Sequence, residues 1–359
     1  MLIYIGIIIF SLFFAFLLRA KNYSCGKNYA IFFMFLLFLM AALRASSIGN
    51  DTANYLRIYT IIQKGNFIEG WEERFEPGYL ILNRLLASFF QEQQIILLVT
   101  SIIIYGGFLY FIVKFSSNVW LSVFLFITLG YFGQSLNTIR LCIAYSILLF
   151  SYSFLRKKQF ITFVIIVLLA TMFHRTAIIF LLAYFVQNIK LNKWIFGIWV
   201  IFTATVTIYM QVFLDILFKI YPTFQYYIGT NYVSSGKLAS ILYLLIWLLV
   251  LIFGLAIQWK KRGETISKDI SIMTFFMMIA VSIYSFSLRF NLLDRIAQFF
   301  SMFGIVYIPN TLELIKSKRK KYILTMIIVM LFFSYFVTIQ VFRPEWNVIY
   351  PYKTFWMDK

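Results

Sequence analysis

Charged residues are scarce in this sequence: they make up 13% of its 359 residues, and only 13 residues are acidic. Soluble domains carry about 25% charged residues, whereas this chain is 62% hydrophobic with a mean hydropathy of +0.86. These values exclude an ordinary soluble domain. They predict an all-α polytopic membrane protein, with residues 1–359 forming a single integral membrane domain.

Cysteine and histidine are scarcer still, with two cysteines and one histidine. The two cysteines, Cys25 and Cys142, fall in a short basic loop and in a separate apolar run, so we expect two free thiols and no disulfide framework. His174 is the single histidine, and one imidazole cannot make a metal site by itself. The chain also has no Gly-rich phosphate loop and no G-x-S-x-G elbow, which disfavours nucleotide and serine chemistry. We therefore expect no metal and no cofactor.

Long apolar runs fill the remaining sequence. A helix crosses the hydrocarbon core with about 20 apolar residues, so the pattern predicts about twelve transmembrane helices. They are expected at 2–18, 29–43, 95–113, 119–135, 139–155, 159–173, 176–189, 194–214, 238–258, 270–288, 293–310 and 322–341. A hairpin is expected to turn near 133–137, and His174 with Arg175 interrupts the run from 159 to 189.

Alternate loops differ in charge. With twelve spans, one set of loops carries a net charge of +15 and the other set +4. Basic loops stay in the cytoplasm, so both termini and the loops 44–94 and 215–237 are predicted to lie outside, as is the tail 342–359. Because the net charge of +19 follows from this loop pattern, nucleic acid is not an expected partner.

The longest polar stretch runs from 44 to 79 within the predicted outer loop. It holds five of the 13 acidic residues: Asp51, Glu69, Glu72, Glu73 and Glu76. Directly after it, residues 78–91 place Gly78, Leu82, Leu85, Leu86 and Phe89 on one helical stripe, which predicts a helix lying in the membrane interface. The loop 215–236 is aromatic and polar, and the tail is rich in Trp and Tyr; such residues suit either the headgroup zone or stacking on sugar rings.

Isolated arginines collect on the predicted outer side. They are Arg44, Arg140, Arg175, Arg289 and Arg295. An arginine at mid-membrane costs roughly 2.5 to 3.5 kcal/mol, so such a residue needs a partner or a task, although one alone could simply snorkel. The planar guanidinium fork matches phosphate oxygens, and several such groups on one side predict a site for a lipid diphosphate.

Three groups could move a proton. His174 has a pKa near neutrality in its free form, and it could accept a proton from a sugar hydroxyl or bind a diphosphate. Asp51 could act as a base, or a residue at 50–52 could cap a helix that begins at Ala53. Glu76 precedes a Pro77–Gly78 turn and could also be a base or bind a sugar hydroxyl.

Five short motifs occur in a recognisable order. They are R44-A-S-S-I-G-N-D51-T-A-N-Y55, F75-E-P-G-Y79, N137-T-I-R140-L-C-I-A144, A170-T-M-F-H174-R-T-A177 and R289-F-N-L-L-D-R295. In these motifs the sequence resembles the EpsG family of membrane proteins, which is related to Wzy-type polysaccharide polymerases. It departs from the family in having Gly-Asn-Asp for the usual Gly-Thr-Asp, and Leu141 for the usual Gln after Arg140.

This resemblance implies a GT-C-like glycosyltransferase of a bacterial inner or plasma membrane. Its donor and acceptor would be undecaprenyl-diphosphate-linked oligosaccharides, joined into a surface glycan such as O-antigen, capsule or exopolysaccharide. Its partners would include membrane lipid and a chain-length regulator protein. The expected catalytic residues are His174, Asp51, Arg140 and Arg289. The expected substrate-binding residues are Arg44, Tyr55, Glu76, Asn137, Arg175 and Arg295.

Three other functions remain open. A ligase would use the same donor but pass a finished chain to another acceptor. A flippase or other transporter needs charged groups along a path at mid-membrane, whereas the isolated charges here lie on one side. An acyltransferase using His174 lacks an evident cytoplasmic donor site.

Overall fold

The computed structural model of the protein describes residues 2–18, 23–65, 75–220, 237–261 and 266–357. In these ranges the ordered elements are helices, joined by short turns and one isolated β-bridge between Arg44 and Thr354. The acidic residues Glu69, Glu72 and Glu73 lie outside the described residues, as does the aromatic loop from 221 to 236. The all-α prediction is confirmed.

The chain divides into two compact units. The first unit comprises Met1–Ile178 and Ile315–Lys359, and the second comprises Ile179–Leu314. The helices of the first unit are α1 Leu2–Leu17, α2 Tyr23–Ala42, α3 Thr52–Gln63, α4 Pro77–Phe89, α5 Gln94–Phe115, α6 Val119–Thr128, α7 Tyr131–Asn137, α8 Ile139–Arg156, α9 Phe160–Thr171 and α17 Lys318–Phe342. A 3₁₀ turn, Arg175–Leu181, crosses the boundary between the units.

The helices of the second unit are shorter on average. They are α10 Leu182–Val186, α11 Lys193–Ile208, α12 Met210–Ile220, α13 Lys237–Lys260, α14 Lys268–Ser287, α15 Leu293–Ser301 and α16 Gly304–Glu313. Within this unit α14 packs on α11, α13, α15 and α16.

Close helix packing in the first unit depends on small residues. Helix α5 packs against both α2 and α8. A Cβ on Gly107 of α5 would lie 2.5 Å from Cβ of Ser146 on α8, so this crossing requires glycine. The Ser146 hydroxyl then donates to the carbonyl of Ile104 at 2.9 Å. Small residues that let two backbones approach are typical of helix pairs in membranes.

Six helices in the described ranges are long and apolar enough to cross a membrane, or up to eight if each of two bent pairs forms one span. The six are Cys25–Ala42, Gln94–Phe115, Ile139–Arg156, Leu238–Lys260, Lys268–Ser287 and Lys318–Phe342. The chain is therefore a multi-pass membrane protein. The twelve spans predicted from hydropathy are not confirmed, because several apolar runs are broken into shorter helices.

The breaks have local causes. The run expected at 119–135 is interrupted at Gly130, whose φ of +90° suits glycine, and α6 and α7 meet at an angle of 51°. The chain therefore bends earlier than the expected turn at 133–137. The runs expected at 194–214 and 293–310 are also each split into two helices, and Asp215 to Ile220 is helical rather than loop.

The described residues of the predicted loop 44–94, which are 44–65 and 75–94, include helices α3 and α4. Helix α4 confirms a helix after Pro77, but its buried face differs from the expected stripe. Tyr79, Asn83 and Leu86 are buried, whereas Leu85 is 57% exposed and Phe89 is 77% exposed. The predicted stripe therefore combined residues from two faces of the helix.

Candidate functional site

The polar motif at 44–55 forms a tight loop followed by α3. Helix α3 begins at Thr52, one residue earlier than expected, and Asp51 occupies its N-cap position. The Asp51 side chain makes no capping hydrogen bond and is half-buried. One turn into the helix, Tyr55 is buried, and its ring meets the ring of Tyr79 on α4 at 5.6 Å. The motif thus presents a carboxylate and a phenol at the same end of α3.

The motif F-E-P-G-Y begins α4 and docks on the turn after α9. The N–H of Gly78 donates to the carbonyl of Met172 at 2.8 Å. A Cβ on Gly78 would lie 2.7 Å from that carbonyl oxygen, so the close approach requires glycine. Pro77 at the first helical position fixes the backbone of this turn, and Glu76 occupies the N-cap position without a side-chain capping hydrogen bond.

Glu76 links three segments of the first unit. One carboxylate oxygen forms an ion pair with Arg140, and the other accepts a hydrogen bond from the N–H of Arg175 at 3.4 Å. Only 10% of the Glu76 side chain and 25% of the Arg140 side chain are exposed. This carboxylate therefore joins the start of α4, the first turn of α8 and the turn that follows α9.

Arg140 is also held by aromatic groups. Its guanidinium lies over the ring of Phe75 at 5.0 Å from the centroid, and it interacts electrostatically with the side chain of Tyr55. Its Nε is buried and has no hydrogen-bond partner among the residues that the structure describes. Glu76, Phe75 and Tyr55 thus orient Arg140, while its Nε–H has no partner among the described residues.

His174 and Arg175 follow α9, where the apolar run was expected to break. Nδ1 of His174 lies 2.8 Å from the hydroxyl of Thr176. If Nδ1 carries the proton and donates to Thr176, then Nε2 keeps the lone pair that a base requires. The His174 ring is half-buried and the Arg175 side chain is exposed.

Arg44 and Asn137 occupy a different environment from the other predicted residues. Arg44 is 1% exposed and donates to the hydroxyl of Thr52 at 3.2 Å and to the carbonyls of Ala41 and Leu136. Burial lowers the pKa of the Arg44 guanidinium to about 10, so it is still charged at neutral pH. The Asn137 amide is likewise occupied by backbone groups. Protein groups thus occupy donors of both side chains, and the substrate contacts expected for Arg44 and Asn137 stay predictions.

The fifth motif belongs to the second unit. Phe290 is buried in an apolar cluster with Met210 and Leu214, and this anchors the turn between α14 and α15. Arg289 and Arg295 on either side of the anchor are exposed. Asp294 points inward and accepts a hydrogen bond from Ser240 of α13 at 2.7 Å. The motif thus presents two arginines to the surface of its own unit.

Four of the five motifs therefore meet in the first unit. Glu76 and Arg140 join Tyr55 to the turn at His174–Thr176, and Asp51 lies one helical turn before Tyr55. Sequence reasoning missed Phe75 and Thr176, although both lie inside the quoted motifs, next to Glu76 and two residues after His174. The half-buried carboxylate of Asp51, the oriented guanidinium of Arg140 and the imidazole of His174 are groups that can bind an anion and accept a proton.

Fold and site together define a multi-pass helical membrane protein whose polar groups gather on short segments between apolar helices. The chain belongs to the EpsG family, because the model of that family matches residues 27–354, nearly the whole sequence. This family is associated with polysaccharide polymerases. The comparisons with curated proteins and with solved structures give no match to this chain.

Proposed function

We propose that this protein is a membrane glycosyltransferase that joins lipid-linked oligosaccharide repeats into a surface polysaccharide. Membership of the EpsG family supports the polymerase activity. The observation that carries the chemistry is the junction at Glu76, which holds the Arg140 side chain and the Arg175 backbone beside His174. The donor is an undecaprenyl-diphosphate-linked chain and the acceptor another lipid-linked repeat, as the family resemblance implies.

The reaction is a transfer at C1 of the donor sugar. A hydroxyl oxygen of the acceptor forms a new bond to C1, and the bond between C1 and the diphosphate oxygen breaks. The hydroxyl proton passes to a base, either His174 or Asp51. The lipid diphosphate leaves with the bonding electrons, so the reaction needs no nucleotide.

The arginines stabilise the leaving group. Negative charge grows on the diphosphate as the C1 bond breaks, and preorganised cations lower the energy of that state. Arg140 suits this role because Glu76, Tyr55 and Phe75 fix its orientation while its Nε remains an unused donor among the described residues. Arg175, whose backbone N–H donates to Glu76, is the second diphosphate contact proposed in this unit, and Arg289 and Arg295 stay predictions from the sequence.

The site is proposed to face the outside of a bacterial inner or plasma membrane. With the twelve spans predicted from the sequence, one set of loops carries a net charge of +15 and the other +4, which favours this orientation. A lipid-linked repeat flipped to that face would meet the enzyme there, and the product would already lie on the side where surface glycan accumulates.

Surface polysaccharide from cells lacking the gene tests this function. Loss of the polymerase is expected to leave a single repeat on the final acceptor, and the wild-type gene is expected to restore long chains. Absence of even the single repeat would instead indicate a ligase or a flippase. Purified protein is expected to lengthen lipid-linked repeats in detergent, and failure of that reaction with competent substrate would refute the proposal.

A further inference from the structure

The C-terminal segment 343–357, which we call the C-terminal strap, lies along the polar loop 44–51. Thr354 forms an antiparallel bridge with Arg44, the Ala45 N–H donates to the Lys353 carbonyl at 2.9 Å, and the Phe355 N–H donates to the Leu43 carbonyl at 2.9 Å. The strap is therefore paired to the loop by backbone hydrogen bonds at one end.

A second set of contacts joins the strap to the residues next to the site. The Asn50 side-chain amide donates to the carbonyls of Glu345 at 3.2 Å and Trp346 at 3.4 Å. The Asn137 amide donates to the carbonyl of Asn347 at 2.8 Å, and its oxygen accepts the Asn50 N–H at 2.5 Å. Two asparagines thus connect the loop, the end of α7 and the strap.

Backbone geometry confines the same region. Gly49 has a φ of +85°, and its N–H donates to the Val348 carbonyl at 2.9 Å. A Cβ at Gly49 would collide with the carbonyl of Leu136 on α7. The loop is therefore pressed between α7 and the strap, with no room for a side chain.

The strap is also anchored to the helices of the first unit. The hydroxyl of Tyr4 on α1 donates to the Ile349 carbonyl at 2.6 Å, and Ile349 is fully buried. The hydroxyl of Tyr352 donates to the Met40 carbonyl of α2 at 3.0 Å. Contacts to two helices hold the strap independently of the loop.

We propose that the C-terminal strap is a positioning element of the active site, and that Asn50 and Asn137 transmit its position to the reacting groups. Asn50 directly precedes Asp51 and lies five residues before Tyr55, whereas Asn137 lies three residues before Arg140. The hydrogen-bonded pair of asparagines therefore sets the distance between the groups on α3 and those on α8. This inference rests on the proposed function.

The strap is expected to affect the alignment of the reacting groups rather than the binding of substrate. A displacement of about 1 Å at a reacting group can lower a rate about 100-fold, although the substrate still binds. Losing the strap contacts removes several hydrogen bonds but touches none of the proposed diphosphate contacts. The structure therefore predicts a loss in kcat with little change in KM.

The test is the substitution Asn50→Asp, which keeps the size of the side chain but replaces its donor by a carboxylate facing two carbonyls. We expect kcat for elongation of lipid-linked repeats to fall about 10- to 100-fold with KM nearly unchanged. Amide hydrogen exchange across residues 44–50 is expected to accelerate. The matched control is Asn192→Asp, whose side-chain oxygen still accepts the Ile195 N–H at the start of α11.

Truncation gives a second readout. A chain ending at Phe342 lacks the strap and is expected to show fast exchange over 44–50 and no elongation, whereas a chain ending at Met357 is expected to behave as wild type. If amide exchange over 44–50 is unchanged in Asn50→Asp, the strap does not hold the loop. If exchange is fast but kcat stays at the wild-type value, the strap does not position the reacting groups. If wild-type protein does not elongate repeats, the proposed function fails, while the exchange data still decide whether the strap holds the loop.

Discussion

Arg140 in the first turn of α8 forms an ion pair with Glu76, the residue immediately before α4. The two residues are 64 positions apart in the chain. Each side chain is mostly buried, so removing one partner would leave the other charge poorly solvated and without a counter-charge. The pair therefore fixes the orientation of the arginine and also couples the stability of the site to its chemistry.

Arg140→Lys is expected to abolish long chains while the protein still inserts and accumulates. Lysine keeps the positive charge but lacks the planar fork that serves Glu76 and a phosphate together. The measurement is elongation of lipid-linked repeats, with protein abundance from an immunoblot. Arg57→Lys, at an exposed position on α3, is the matched control and is expected to retain full activity. Full-length polymer from Arg140→Lys would remove Arg140 from the diphosphate contacts.

Glu76→Gln is expected to weaken the site through the partner that it leaves behind. The amide cannot neutralise Arg140, and an uncompensated polar group at this depth costs about 1 to 3 kcal/mol. Thermal unfolding of purified protein is expected to occur at a lower temperature, with elongation also reduced. The double variant Glu76→Gln with Arg140→Gln removes both charges and is expected to recover part of the stability but none of the activity. A double variant less stable than Glu76→Gln would contradict the pairing.

Arg44→Met is expected to act on stability rather than on turnover. The arginine is buried and donates to Thr52, Ala41 and Leu136, and its loss leaves these acceptors with fewer partners at a cost of about 1 to 3 kcal/mol. Thermal unfolding is expected at a lower temperature, while kcat per folded molecule stays near the wild-type value. Arg57→Met serves as the exposed control. A normal unfolding temperature with lost substrate binding would return Arg44 to the substrate contacts.

Gly49→Ala and Gly65→Ala separate two costs at positions with similar backbone angles. Their φ values are +85° and +71°, so both substitutions strain the backbone by roughly 1 to 2 kcal/mol. At Gly49 the new Cβ meets the Leu136 carbonyl, whereas at Gly65 none of the described residues has an atom within 4 Å. We expect Gly49→Ala to be the more destabilising by at least about 1 kcal/mol in denaturant unfolding. Equal effects would show that the loop can move away from α7.

His174→Asn and Asp51→Asn identify the base. Removing a general base lowers the rate about 10²- to 10⁴-fold, and it also removes the corresponding limb from the pH profile of kcat. We expect one of the two variants to show both effects and the other to show a smaller loss with an unchanged profile. Thr176→Val provides a further comparison, because it removes the hydroxyl that holds Nδ1 of His174. Two variants with wild-type profiles would exclude both residues as the base.

The helices of this protein could largely be predicted from its sequence because apolar runs and polar interruptions mark them directly. The break after α9 at His174 was predicted in this way. The turn expected near 133–137 was misplaced, because the chain bends at Gly130 and hydropathy does not report a backbone angle. The number of spans was not confirmed for the same reason: a run of apolar residues can fold as one long helix or as two short ones.

The motifs that contribute to the candidate site could be found in the sequence, but the partner of each side chain could not. Arg44 and Arg140 look alike in sequence, because each is an isolated arginine beside an apolar run. One is buried against backbone carbonyls and the other pairs with Glu76, and these environments depend on segments far away in the chain. Asn137 shows the same limit, since its partner Asn347 is 210 positions distant.

The C-terminal strap has a consequence for how the protein is made. Asn50 and Glu345 are 295 positions apart, and a ribosome adds about 5 to 20 residues per second. Roughly 15 to 60 s therefore pass between synthesis of the loop and synthesis of the segment that fixes it. During this interval α2, α5 and α8 can enter the bilayer while the loop still lacks its backbone partners. With the positioning role proposed for the strap, membrane insertion precedes catalytic competence, and a nascent chain in the bilayer is expected to stay inactive until the strap emerges and pairs.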